Sequence, residues 1–206
     1  MSARAAVLAR LAAAQRTARL PPAPAAKPFL SPPRSGPECR ERFVRELAAL
    51  GVDCHVETSA EAVRARVRGL VAGKKILSWD FDQLPYEVGS VLGGALRGSH
   101  PRDDQARAEI GVTGCHGAIA ETGSLAVLSG RGCSRTVSLL PPVHVAVVEA
   151  EDLLFSMGEF FARNRERIAA ASGCTFITGP SRTADIELTL TLGVHGPGRV
   201  IVVVGP

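Results

Sequence analysis

The chain has 206 residues, 46% of them hydrophobic and 21% charged with both signs present, and a net charge of +4. That composition suits one globular core and excludes a disordered chain, and no apolar run reaches the ~18 residues a membrane span needs. The first 37 residues hold six basic side chains and no acid, leaving 18 basic against 20 acidic in the other 169, a net of −2; with only one Trp and one Tyr, this excludes a basic, aromatic nucleic-acid surface.

In chain order, residues 2–19 are rich in Ala and Arg and predict a helix. An Arg-rich, acid-free start also resembles a mitochondrial transit peptide, and the alternative is a surface helix or arm. Residues 21–37 carry seven prolines and predict a linker or an extended arm. The division expected is therefore an N-terminal arm over 1–37 and one α/β domain over 38–206. Phe43, Leu47 and Leu50 recur at helical spacing over 38–50, with Gly51 as a C-cap. The alternation of 52–57 predicts a strand, and Thr58 or Ser59 can cap a helix over 60–72. A strand over 74–80 ends in Asp80, a helix is expected over 86–97, and 110–113 reads as a short strand. Residues 119–122 (IAET) and 124–129 (SLAVLS) are strand material, with the bend at Thr122-Gly123 between them. A buried strand over 143–149 precedes a long helix over 151–170. A strand over 174–178, a helix over 182–192 and a last strand over 199–204 complete the chain. Strands of near-continuous apolar residues alternating with helices predict an α/β fold with a mostly parallel sheet flanked by helices.

Five cysteines, an odd number without a CxxC pair, predict free thiols in a reducing compartment and a cytoplasmic protein. Their scatter argues against a metal or iron–sulfur site, so no metal and no cofactor is expected in this chain. His144 lies in an apolar strand and reads as a core histidine. His116 and His195 flank glycines in loops and are weak site candidates, and Cys115 lacks a sequence neighbour that would lower its pKa. Ser129-Gly130-Arg131-Gly132 reads as a hairpin turn or an anion contact.

Ligands of open α/β sheets bind beyond strand ends, and two segments fit. In the first, Glu121 interrupts an apolar stretch and is followed by Thr122, Gly123 and Ser124. A carboxylate at such a bend can act as nucleophile or base, or it can be a structural acid that accepts backbone N–H bonds. In the second, Gly179, Pro180, Ser181, Arg182 and Thr183 follow a strand and lead into the expected helix. That helix start, with the Arg182 guanidinium, predicts binding of a carboxylate or phosphate; ordinary capping with a solvated arginine is the alternative. The two segments are expected to form one cleft.

GVTGCHGAIAETGSLAVLSGRG (111–132), SLLPPVHVAVV (138–148) and FITGPSRTADIELTLTLGVHGPG (176–198) together resemble the LUD (lactate-utilisation) domain family. The resemblance spans about residues 38–206, with the three motifs in family order. It implies a fold related to ribose-5-phosphate isomerase, glucosamine-6-phosphate deaminase and CoA transferases. It also implies a part in oxidation of L-lactate to pyruvate beside two iron–sulfur partners, the A and B lactate-utilisation proteins. This chain would be the component without a cluster, the clusters residing on the partners. CoA transferases use a glutamate followed by Asn-Gly as acyl acceptor, and Glu121-Thr122-Gly123 shares Glu-x-Gly with it. The alternative function is a stand-alone CoA-transferase-like or sugar-phosphate-isomerase-like enzyme, with Glu121 as nucleophile or base and Arg182 holding a small anionic substrate. Self-association is left open.

Overall fold

The computed structural model describes residues 2–18, 36–183 and 191–206. Helix α1 (Ala3–Thr17) is capped by Ser2, whose Oγ accepts the Ala5 N–H, and buries none of its side chains. Helix α2 (Pro37–Ala49) turns Cys39, Phe43 and Leu47, spaced by four, into the core. It ends as the 51 position suggested. The N–H groups of Gly51 and Val52 return to the carbonyls of Ala48 and Leu47, and Val52 packs in the same apolar cluster as Leu47, a Schellman ending.

Strand β1 (Asp53–Val56) follows, then α3 (Ala60–Val71), capped by the Ser59 hydroxyl and burying Val63, Val67 and Val71. The next strands are β2 (Ile76–Ser78), β3 (Leu96–Arg97), β4 (Ile110–Thr113), β5 (Gly117–Ile119), β6 (Ser124–Ser129) and β7 (Val143–Val148), with a short helix α4 (Arg102–Gln105) before β4. After β8 (Leu153–Leu154) come helices α5 (Met157–Arg163) and α6 (Arg165–Ala170), strand β9 (Gly173–Ile177), the two-residue strands β10 (Arg182–Thr183) and β11 (Thr191–Leu192), and β12 (Arg199–Val204).

Six strands form the main sheet in the order β1-β12-β7-β4-β2-β3, every pair parallel. This is the α/β architecture with a mostly parallel sheet flanked by helices. The central strands bury both faces. In β7, Val145 and Val147 join the cluster of α3, while Ala146 and Val148 join the cluster of α2. Fully burying a Val or Phe contributes roughly 1.5–3 kcal/mol, so these two-faced strands anchor the domain. His144, buried in β7, pairs through Nε2 with the Thr113 hydroxyl of β4 at 2.9 Å, in keeping with a core histidine.

The unexpected element is a second, four-stranded sheet, order β8-β5-β6-β9, lying on the α2 side. Ala118, Ala120 and Leu125 face α2 and the main sheet, while Ile119, Ala126 and Leu128 face Phe160 of α5. Among the described residues, no helix is long and apolar enough to cross a membrane.

Three expected helices need correction. Over 86–97 the chain forms 3-10 turns and then β3, with Tyr86 and Glu87 at φ 55° and 53°. Pro85 and three glycines weaken helix there, and the Tyr86 hydroxyl is held by the Pro206 carbonyl. The helix expected over 151–170 is cut up. Leu153 and Leu154 pair with Ala118 and Ile119 of β5, Ser156 caps α5, and Asn164 separates α5 from α6. At both described ends of 182–192 the helix is replaced by an antiparallel pair, Arg182 opposite Leu192 and Thr183 opposite Thr191. The Ser181 N–H donates to the Pro197 carbonyl and the Gly193 N–H to the Ser181 carbonyl, which holds the two paired ends together. Residues 184–190 of that expected helix lie outside the described residues.

Candidate functional site

β5 turns into β6 through residues 120–123. Gly123 has φ 65°, and a Cβ there would stand 3.1 Å from the Glu46 and Leu47 backbone of α2. A left-handed residue this close to another backbone calls for glycine. The turn is therefore pressed onto the last turns of α2. Beyond it, Thr122 Oγ1 donates to Ser124 Oγ at 2.8 Å, and Ser124 Oγ shares a 2.7 Å bond with Thr178 Oγ1 at the end of β9. Three hydroxyls thus tie the two expected segments together at one end of the small sheet.

Glu121 lies at this turn, half-buried. Its N–H donates to the Phe155 carbonyl at 3.0 Å, and its Oε1 accepts the N–H of Met157, first residue of α5, at 3.1 Å. An acid inside an apolar stretch is thereby explained: the carboxylate meets free N–H groups and the positive end of a helix. Among the described residues its second oxygen has no hydrogen-bond partner. Arg182 does the reverse. Its Nη2 donates to the Leu50 carbonyl at 2.6 Å, at the negative end of α2. Gly179 also packs on Leu50, and Pro180 and Ser181 lead into the loop at Pro197. The structure brings Thr122, Gly123, Ser124 and Gly179 onto the same end of α2. The charged groups of Glu121 and Arg182, however, serve different helix termini, and Arg182 and Thr183 are strand residues instead of a helix start.

The carboxyl edge of the main sheet carries other polar groups. Trp79 and Asp80 follow β2, and Gly114, Cys115 and His116 follow β4. His116 Nδ1 accepts the Leu128 N–H at 3.2 Å, which puts the neutral ring's proton on Nε2. Burial, then the nearby Arg167 charge, pushes its pKa down to about 4, and the ring lies against Trp79 at 5.3 Å. Burial pushes His144 to about 4 as well. Burial, with the Asp152 charge adding, raises the Cys115 thiol, so it stays protonated. His195 is exposed. Asp80 and Ser134 help line a cavity of about 210 Å³ that also includes Gly98, Ser99, Gly130 and Gly132. Its two walls converge because the Asp80 N–H donates to Gly132 and Trp79 Nε1 to Ser134. A strand ending in Asp80 was the available signal for this edge; the loop at 130–134 could not be placed beside it without the hairpin β5–β6. Among the described residues, no three His, Cys, Asp or Glu side chains gather as a metal site.

A family model described as the LUD domain matches residues 40–204. The chain is 33% identical over 170 residues to a "Lactate utilization protein C" of Geobacillus sp. (strain WCH70), covering 72% of this chain and 70% of that protein. Proteins of the same name from Halalkalibacterium halodurans and Bacillus subtilis are 41% and 37% identical over 105 and 95 residues. Those matches cover 48% and 44% of this chain, and 44% and 40% of the relatives, so the chain spans less than half the length of these two. Among solved structures, a DUF162 family protein from Deinococcus radiodurans superposes with a TM-score of 0.67 at 23% identity, covering 82% of this chain and 97% of that one. That likeness bears on the fold.

Proposed function

The chain belongs to the LUD domain family, and from that premise we propose that it takes part in lactate utilisation, as the component without a cluster of a system that oxidises L-lactate to pyruvate. In this reading it works in the cytoplasm with iron–sulfur A and B partner proteins, which carry the clusters, and it holds a small carboxylate or phosphate ligand. The observation that carries the reading is the match to the Geobacillus lactate utilization protein C across about seven-tenths of both chains. The thiols support it. Burial raises the pKa of all five cysteines, Cys54 and Cys133 to about 11, which favours the protonated thiol over a thiolate ligand.

The test is genetic and biochemical. A strain lacking this gene should fail to grow on L-lactate, grow normally on pyruvate, and recover with the gene restored. The tagged chain should bring down cysteine-rich, iron-containing partners. Undiminished growth on lactate would overturn the reading.

One observation favours the second reading, a stand-alone enzyme using Glu121: the carboxylate keeps one oxygen without a hydrogen-bond partner among the described residues. Turnover of an acyl-CoA or a sugar phosphate by the isolated chain, lost in Glu121→Gln, would establish it.

A further inference from the structure

The loop after β6 makes a tight turn at Arg131-Gly132, with Gly130 and Cys133 exchanging both backbone bonds. Gly132 has φ 77°, and a Cβ there would stand 2.8 Å from the Gln83 side chain. The loop borders an open cavity of about 410 Å³ lined by Ser129, Gly130, Cys133, Ser134, Arg135 and Ser172. Arg135 and three serines line it and no carboxylate does; Gly130 and Ser134 are shared with the neighbouring cavity beside Asp80. Arg135 is exposed and has no ion pair among the described residues. Ser129 is 8% exposed, and its hydroxyl is buried without a partner.

We propose that this cavity binds a small organic anion that also carries hydroxyl groups, with its carboxylate or phosphate on Arg135. The hydrogen-bond inventory gives the class. Thr136 Oγ1 donates to Gln105 at 2.7 Å, so the 2.8 Å bond between Ser134 and Thr136 is donated by Ser134. The Ser172 hydroxyl donates to the Ser129 carbonyl at 2.9 Å. Ser134 and Ser172 therefore present lone pairs, while Arg135 presents donors. A bare anion satisfies only the donors. A hydroxylated anion satisfies both sets, and the volume is roomier than a three-carbon acid requires. Cys133 is engaged with Gln83 at 3.7 Å and adds no charge.

The site is distinct from Glu121 and Arg182 and does not rest on the lactate reading. Calorimetric titration of the full chain tests it with a matched set of probes. Gluconate and glycerol 3-phosphate carry both features, acetate and inorganic phosphate only the anion, and glycerol only the hydroxyls. At least one of the first two should bind about tenfold or more tighter than all of the last three. Arg135→Gln should weaken it by about tenfold or more through loss of a charge-assisted bond. Glu121→Gln and Arg182→Gln should leave it unchanged. Equal affinity in wild type and Arg135→Gln, or no binding of either hydroxylated probe, overturns the proposal; acetate binding as tightly as gluconate overturns its hydroxyl half. Arg135 is exposed, so its substitution leaves the fold intact and the test valid.

Discussion

Glu121 Oε1 accepts the backbone N–H of Met157 at 3.1 Å, across a gap of 36 residues in the chain. The bond ties the tip of the β5–β6 hairpin to the first turn of α5. Glu121→Gln keeps an acceptor oxygen but loses the charge facing the helix end, a cost of ~0.3–1 kcal/mol; Glu121→Ala loses the acceptor too, for ~0.5–2 kcal/mol. Chemical denaturation should rank the proteins wild type, Gln, Ala. Under the proposed function, the folded Gln variant still supports growth on lactate. A Gln variant with an unchanged melt and no growth would favour the enzymatic reading.

Gly123→Ala should be the more damaging change at the same turn. It forces a left-handed φ on an L residue and sets a methyl 3.1 Å from the α2 backbone, where neither side yields easily. The strain costs about 1–3 kcal/mol. The melting temperature should fall by several degrees, more than for Glu121→Gln; an unchanged melt would show that α2 can move away.

Acid should destabilise the fold through its buried imidazoles. His144 has its pKa lowered to about 4 by burial, against about 6.5 in an unfolded chain. Between those values the unfolded chain binds the extra proton, so stability is intact above pH ~6.5 and lost as pH falls toward ~4. For His144 the span amounts to about 3 kcal/mol. His116 adds a smaller share, being partly open to solvent. Glu149 and Asp152, whose pKa values burial raises, act in the opposite sense. The clean measurement is therefore the difference between wild type and His144→Gln across pH 7 to 4. It should shrink as pH falls; a constant difference would contradict the buried neutral histidine.

Removing residues 1–18 should leave the melt unchanged within error. Helix α1 buries no side chain, and among the described residues its bonds are all local, so its loss exposes no apolar core. A shortened chain that melts markedly lower would show that the segment packs in solution.

The parts legible beforehand were those whose pattern is set locally. Phe43 and Leu47 share one helix face, Ser59 caps α3, and the apolar runs at 110–113, 143–148 and 199–204 form buried parallel strands. Where tertiary contacts decide, local reading failed. Leu153 and Leu154 carry a helical pattern but complete the edge of the small sheet beside β5. Tyr86 leaves helical geometry and reaches Pro206. The sequence places Ser124 in the first expected segment and Thr178 just before the second, and these two residues meet at 2.7 Å. Local reading could not foresee that Glu121 and Arg182 each serve a helix end, because both helices come from elsewhere in the chain.

The two-sided burial of the β5–β6 hairpin makes its length as specific as its composition. Ala118 and Ala120 fit beneath α2, while Ile119 fills space under Phe160. Adding or deleting one residue between 115 and 119 would exchange these faces, pushing an isoleucine into room shaped for alanine and leaving a void under the phenylalanine. Family members should therefore vary in this stretch by substitution and rarely by insertion, with length changes collecting at exposed loops.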